Sequence, residues 1–223
     1  MSEIPIDIVG FDLDGTLLDT HGDLGQAVNH ALKSAGRESV PISVIRGLVG
    51  GGSGQMLGRA LELTGGRVPD DEFKAIHGEL LTYYEANIAV HSGLFPGGQD
   101  MLDALSDQGI KLAVVTNKLE KYARRLLEEL DLARRFEVIL GGDSLGKGRA
   151  KPSPDLIHEM IDRLGGGRAA YIGDTSFDTG AAEAAGVPCV AVTFGYCDVP
   201  IAELRAAAVI DHFDQLIPVL RRL

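Results

Sequence analysis

The chain is poor in residues that mark several classes of protein. Its 223 residues include no tryptophan, only two cysteines and 5% aromatic residues. Acidic residues outnumber basic ones by 32 to 21, which gives a formal charge of −11. This surplus of negative charge argues against nucleic acid or an anionic membrane surface as the main partner. The scarcity of aromatic rings also argues against a site that stacks a nucleotide base.

Other absences concern the location of the protein. No apolar run approaches the roughly 18 residues of a membrane-spanning helix, and the residues after Met1 lack the basic and apolar regions of a secretory signal. Cys189 and Cys197 have no CxxC spacing, so we expect reduced, structural thiols. Together these features predict a cytoplasmic protein without a membrane partner. Separately, we expect a monomer or a homodimer.

What the chain does contain is an acidic motif directly after an apolar run. Residues 6–11 read as a buried parallel strand, and Asp12-Leu13-Asp14-Gly15-Thr16 follows. Open α/β sheets bind ligands at the carboxyl ends of their strands. In an extended chain Asp12 and Asp14 would face the same side, roughly 6.6 Å apart, which leaves room for a phosphorus atom between them. Gly15 would let the backbone approach a ligand closely. An ordinary Asp-Gly turn is the alternative interpretation.

The periodicity of apolar residues divides the chain into two parts. Between residues 21 and 87 apolar residues recur at helical spacing, with Asp23 as the expected N-cap of the first helix, and no strand is predicted. From Gly93 onward strands and helices alternate, which predicts a Rossmann-like parallel sheet with helices on both faces. We therefore predict an α/β core, residues 1–20 and 88–223, with an inserted helical cap domain at 21–87. The later strands are expected at 110–115, 138–140, 169–172, 189–192 and 208–210, and the helices at 98–108, 119–130, 154–164, 179–185 and 213–222.

Polar residues follow other predicted strands of the core. Thr116 and Asn117 offer a hydroxyl and an amide that can bind phosphate oxygens, although Thr-Asn is also a good helix start. Lys151 directly precedes Pro152-Ser153-Pro154, in which two prolines fix the backbone, and it would neutralise a phosphate or be a solvated turn residue. Asp174 follows the strand at 169–172, and Asp178 lies one helical turn further on, in positions that helix capping could also explain. Because the carboxyl ends of parallel strands share one edge, we expect these residues to meet.

Oxygen donors at that edge predict a site for Mg²⁺. Asp12, the backbone carbonyl of Asp14 and Asp174 would supply three ligands, which leaves positions for water and a phosphate oxygen. Asp178 would support the site by orienting Lys151 or a metal-bound water.

Taken together, these motifs resemble those of the haloacid dehalogenase superfamily, and the resemblance spans essentially the whole chain. The four motifs are Asp12–Thr16, Thr116, Lys151 and Gly173-Asp174 with Asp178. Within the superfamily the chain is most similar to the phosphoglycolate phosphatase group, on residues 112–118, 138–144 and 193–196 and on the Gly-rich stretch 48–53.

The resemblance implies a Mg²⁺-dependent phosphatase of small phosphorylated metabolites. Asp12 would be the nucleophile and form an aspartyl-phosphate, and Asp14 would be the general acid and base. Lys151, Thr116, Asn117 and Gly15 would hold the phosphoryl group. A helical cap would close over the site and recognise the carboxylate of 2-phosphoglycolate, with Arg46, Ser53 and Arg59 as candidate contacts.

Three alternatives stay open at this stage. The substrate could be a sugar phosphate or a nucleoside monophosphate, or the chain could be a phosphomutase, which keeps both acids and differs mainly in the cap. It could also be a binding module without catalysis, although the intact acids argue against that. A dehalogenase should lack the second acid, so Asp14 argues against this activity. His21 and His91 lie near the predicted junctions of core and cap, without an assigned role.

Overall fold

The computed structural model describes residues 4–223. Within this range six parallel strands form the main sheet. The predicted α/β fold is therefore confirmed. The strands are β1 (Ile8–Phe11), β4 (Lys111–Val115), β5 (Val138–Leu140), β6 (Ala169–Gly173), β7 (Cys189–Val192) and β8 (Ala208–Ile210). Across the sheet they lie in the order β5-β4-β1-β6-β7-β8.

Strand β1 lies in the middle of the sheet and is fully buried. Successive side chains alternate between faces, so Ile8 joins one apolar cluster and Val9 the other. Gly10 has a packing reason to lack a side chain, because a Cβ there would lie 2.5 Å from the Met160 sulfur. The strand therefore packs closely against the helix that carries Met160.

Helices cover both faces of this sheet. In the core they are α5 (Gly98–Ser106), α6 (Glu120–Glu129), α7 (Asp155–Arg163), α8 (Ser176–Ala185) and α9 (Leu216–Leu220). Helix α8 begins three residues before the predicted start, because the carboxylate of Asp178 accepts a hydrogen bond of 3.0 Å from the Thr175 backbone N–H and so closes the first turn. The predicted last helix is shorter, since residues 213–215 form a 3-10 turn ahead of α9.

The region predicted to be helical contains α1 (His21–Ser34), α2 (Ile42–Arg46), α3 (Ser53–Leu63) and α4 (Asp70–Ala86). The prediction of Asp23 as the N-cap of α1 is wrong. Thr20 occupies that position, and the Asp23 carboxylate instead accepts hydrogen bonds of 3.0 Å from the backbone of His91 and Ser92. Asp23 therefore ties the start of this helical region to its end.

A second, small sheet was not predicted from the sequence. Strand β2 (Leu18–Asp19) pairs antiparallel with β3 (Gly93–Leu94), so the chain segments entering and leaving the helical region lie side by side. The division into a core and a cap at residues 21–87 stays a prediction, but these paired segments are where it would fall. Among residues 4–223, no helix has the length and apolar character needed to cross a membrane.

Candidate active site

The centre of the site is a buried chain of charged groups at the carboxyl end of β1. Asp12 follows this strand directly and is 6% exposed. The Lys151 ammonium lies 2.8 Å from Asp12 Oδ1 and 2.6 Å from Asp178 Oδ1, and it donates to the Tyr171 hydroxyl at 2.9 Å. The contact with Asp12 is a close ion pair, and Asp12 Oδ1 makes no other polar contact among residues 4–223.

Asp174 completes the acidic group from the end of β6. It is fully buried; its Oδ1 accepts a hydrogen bond from the Thr16 hydroxyl and its Oδ2 accepts one from the Tyr196 backbone N–H, both at 2.7 Å. Gly15 has a φ of +86°, and a Cβ at this position would lie 2.5 Å from Asp174 Oδ2. The loop after β1 can therefore approach Asp174 only because residue 15 is glycine.

The arrangement carries more negative than positive charge. Carboxylate oxygens of Asp12, Asp174 and Asp178 lie within 4.8 Å of one another, and Lys151 contributes a single positive charge. Burial raises the pKa of Asp12 to about 6, against the opposing effect of Lys151. Burial, followed by the charges of Asp178 and Asp12, raises the pKa of Asp174 to about 8. An all-oxygen donor set with uncompensated negative charge suits a hard divalent cation such as Mg²⁺.

Within this group Asp178 has a supporting position. Its Oδ1 faces Lys151, and its Oδ2 accepts hydrogen bonds from the backbone of Thr175 and of Asp174. These contacts fix the Lys151 ammonium beside Asp12. The geometry therefore favours Asp12 and Asp174 as direct ligands of a cation, with Asp178 behind them.

Asp14 lies beyond the end of β1, in the loop that follows it, and lines the same cavity as Asp12. Strand β1 ends at Phe11, and residues 13–18 form a compact loop in which the Leu17 and Leu18 N–H groups donate to the Leu13 carbonyl. The Asp14 carboxylate is 13% exposed and outside the cluster formed by Asp12, Asp174 and Asp178. Lys118 Nζ donates to both of its oxygens at 2.8 Å, and the Thr20 hydroxyl donates to Oδ1 at 2.7 Å.

Thr116 and Asn117 follow β4, as predicted, and both line a cavity beside Asp12. The Thr116 hydroxyl accepts a hydrogen bond from the Lys118 N–H at 3.2 Å. The Asn117 amide nitrogen donates to the carbonyls of Gly50 at 3.2 Å and Lys151 at 3.1 Å. Asn117 thus joins the Gly-rich turn to the Lys151 loop, and its nitrogen is already engaged in this arrangement.

The cavity lies between the sheet edge and the helices of residues 21–87. Asp12, Asp14 and Thr116 form its polar end, and the rest of its wall is largely apolar, with Met56, Leu80 and other residues of α3 and α4. Its volume of about 40 Å³ equals that of a few water molecules. The cavity thus places a small space directly beside Asp12.

A comparison with models of protein families identifies the family of this chain. A family model described as haloacid dehalogenase-like hydrolase matches residues 9–192. The chain belongs to the haloacid dehalogenase-like hydrolase family.

Relatives of this hydrolase share most of its length. A protein named phosphoglycolate phosphatase from Agrobacterium fabrum is 42% identical over 214 residues, 94% of this chain and 90% of that protein. A protein of the same name from Rhodospirillum rubrum is 37% identical over 212 residues, 92% of this chain and 87% of the relative. The crystal structure of a predicted phosphoglycolate phosphatase from Haemophilus somnus matches with a TM-score of 0.90 at 31% identity, and covers 96% of this chain and 98% of that one.

The three residues expected to select the substrate of this hydrolase lie in different places. Ser53 lines the cavity, and its hydroxyl is 2.9 Å from His77 Nε2. Arg46 instead donates to the carbonyls of Phe194 and Gly195 at 2.7 and 2.9 Å. Arg59 lines a separate surface groove on the helical region. The structure thus brings Ser53 to the cavity lining but neither arginine, because Arg46 binds the core loop at residues 194–195 and Arg59 faces the groove.

Three residues of the site were not predicted. Lys118 binds Asp14, Tyr84 lies beneath Lys118 with the ammonium 4.8 Å from its ring centroid, and the Tyr196 hydroxyl accepts a hydrogen bond of 2.6 Å from the Thr20 N–H. A signal existed for Lys118, which directly follows Thr116 and Asn117, and for Tyr196, which lies in a stretch that carries the family resemblance. Tyr84 is one member of an apolar helical stripe, and this pattern predicts only burial.

The histidines at the junctions stay outside the cavity lining: His21 contacts Asp19, and the His91 backbone binds Asp23.

Proposed function

We propose that this hydrolase converts 2-phosphoglycolate to glycolate and phosphate in a Mg²⁺-dependent reaction through an aspartyl-phosphate on Asp12. The observation that carries the proposal is the buried Asp12 carboxylate, which lies 2.8 Å from the Lys151 ammonium and beside a small cavity. The names of relatives that match over most of their length support the substrate.

The chain's own residues account for the proposed chemistry. An Asp12 oxygen attacks phosphorus as the ester bond breaks, and Asp14 donates a proton to the leaving alkoxide. Asp14 then accepts a proton from the water that attacks the aspartyl-phosphate and releases phosphate. Lys151 neutralises charge on the phosphoryl oxygens, and Thr116 and backbone N–H groups position them. Mg²⁺, held by Asp12 and Asp174, would supply further neutralisation of the phosphoryl charge.

The helical region would serve as the cap that limits the size of the substrate. Residues 21–87 contribute the apolar part of the cavity wall, including Leu80 and Tyr84. This wall would keep bulk water away from the phosphoryl group and admit only a small leaving group. A leaving group of two carbons fits these limits better than a hexose. The scarcity of aromatic residues supports the same choice against a nucleotide, and the composition supports a cytoplasmic location.

The proposal is tested by ranking kcat/KM over a panel of phosphate monoesters in Mg²⁺. We expect 2-phosphoglycolate to exceed glucose 6-phosphate and AMP by at least about tenfold, or about 1.4 kcal/mol of differential transition-state binding. A hexose phosphate or a nucleotide at the top of the ranking would contradict the substrate but not the phosphatase class. Transfer of phosphate between positions of a sugar, without release, would indicate a phosphomutase.

A further inference from the structure

The substrate of the proposed reaction places a strict demand on the site. The carboxylate of 2-phosphoglycolate is only two bonds from the ester oxygen that leaves. Since Asp14 donates a proton to that oxygen in the proposed reaction, the group that binds the substrate carboxylate must lie next to Asp14. A cation elsewhere on the cap would be too far away.

Lys118 is the cation in this position. Its ammonium lies 2.8 Å from both oxygens of Asp14, it lines the same cavity, and the residue is 8% exposed. An ammonium group has three N–H donors, and two directed at Asp14 leave one for a second carboxylate.

The other cations near the site are engaged elsewhere. Lys151 contacts Asp12 and Asp178, Arg46 binds two backbone carbonyls of the core, and Arg59 lines a separate groove. The cavity wall, as far as residues 4–223 describe it, therefore offers Lys118 as its cation beside Asp14.

Tyr84 supplies a second donor next to Lys118. Its ring lines the cavity 4.8 Å from the Lys118 ammonium, and its hydroxyl, on a residue 2% exposed, has no hydrogen-bond partner among residues 4–223. Burial raises the pKa of Tyr84 to about 12, so the hydroxyl keeps its proton at neutral pH. A buried donor without a partner is unfavourable unless a ligand satisfies it. An ammonium and an unpartnered hydroxyl at one end of a small apolar cavity fit a carboxylate.

We propose that Lys118 and Tyr84 form the subsite that binds the substrate carboxylate and so select phosphorylated hydroxy acids over neutral phosphate esters. The inference rests on the proposed function and adds the residues that determine its specificity. It assigns binding of the carboxylate to Lys118 of the core and Tyr84 of α4, and no longer to Arg46 and Arg59.

The test compares 2-phosphoglycolate with ethyl phosphate, which has two carbons and no carboxylate. The readout is the ratio of the two kcat/KM values, because Lys118 also holds Asp14 and its loss would change the rate with both substrates. We expect the ratio to fall by about tenfold or more in Tyr84→Phe, mainly through KM for 2-phosphoglycolate, and by about a hundredfold in Lys118→Met. Tyr83→Phe and Lys121→Met are matched controls outside the cavity lining and should keep the wild-type ratio.

The outcomes separate the subsite from the reaction. If the wild type prefers 2-phosphoglycolate and Tyr84→Phe keeps the full ratio, the subsite is wrong and the proposed function stands. If the wild type has the same kcat/KM for ethyl phosphate as for 2-phosphoglycolate, both the proposed substrate and the proposed subsite are wrong. Should Lys118→Met not fold, Tyr84→Phe decides alone, since it removes only the hydroxyl.

Discussion

Acidification should weaken the binding of Mg²⁺ to this protein in two distinguishable stages. In the proposed metal site the cation and protons would compete for the carboxylates of Asp174, with a pKa of about 8, and Asp12, with a pKa of about 6. Between pH 8 and pH 6 only Asp174 is largely protonated, so the apparent affinity should fall about tenfold per pH unit. Below pH 6 both carboxylates hold protons, and the loss should approach about a hundredfold per unit.

The stability of the metal-free protein should change in the opposite direction. Both pKa values are raised above the ordinary value of 3.8, so the folded chain binds these protons more tightly than the unfolded chain does. The stability that they contribute is fully present below about pH 4 and is lost as the pH rises through about 6 and about 8. Added Mg²⁺ should therefore raise the melting temperature more at pH 8 than at pH 6.

Calorimetric titration with MgCl₂ from pH 5 to 8.5 at constant ionic strength measures the affinity, and thermal melts with and without Mg²⁺ measure the stability. Asp174→Asn is the control variant: it should bind Mg²⁺ weakly and show no pH dependence between 6 and 8. An affinity that stays constant over this range in the wild type would refute the assignment of Asp174 as a ligand.

Four further substitutions test the assigned roles. Asp12→Asn should abolish phosphate release without unfolding the chain, because an amide is not a nucleophile; residual activity above a few per cent would assign the nucleophile to another residue. Asp14→Asn should stop turnover and trap a phospho-enzyme with a leaving group that needs no proton, such as p-nitrophenol; mass spectrometry detects it, and unchanged turnover would refute the acid–base role. Lys151→Ala should lower kcat/KM by more than a hundredfold, through the loss of about 3 kcal/mol of charge stabilisation; a smaller loss would show that Lys151 does not contact the phosphoryl group. Gly15→Ala should weaken Mg²⁺ binding, because the added Cβ would displace the Asp174 carboxylate. Gly36→Ala is the control: Gly36 has a φ of +66° and open space around its Cβ, so this substitution should cost about 1 kcal/mol of folding stability and leave Mg²⁺ binding unchanged. Equal effects of the two substitutions on Mg²⁺ binding would refute the close approach of Gly15 to Asp174.

The central fold could be predicted because its strands are buried on both faces. Continuous apolar runs such as 110–115 and 189–192 leave little choice of structure, and the observed strands differ from the predicted ones by at most a residue at an end for those runs. The β2–β3 pair could not be predicted, because two residues per strand carry no periodicity. The error at Asp23 has a similar cause: its partners are the backbone N–H groups of His91 and Ser92, which are distant in sequence.

The acidic part of the site was predictable for a topological reason. Asp12 and Asp174 follow neighbouring parallel strands, so the sheet itself brings them together. No such topological rule determines which side chains line the cavity. Arg46 and Arg59 were expected there on their chemistry alone, and their directions depend on how α2 and α3 pack. The contact of Lys118 with Asp14 depends on a loop conformation, and the unpartnered hydroxyl of Tyr84 is visible only in three dimensions.

The most direct test of the central claim is to identify the phosphorylated residue during turnover of 2-phosphoglycolate. The protein is mixed with this substrate and Mg²⁺, quenched with acid in the steady state and digested for peptide mass spectrometry. We predict a phosphoryl group on Asp12, and none in the Asp12→Asn variant. Phosphate release from 2-phosphoglycolate with the phosphoryl group on another residue, or on none, would contradict the account.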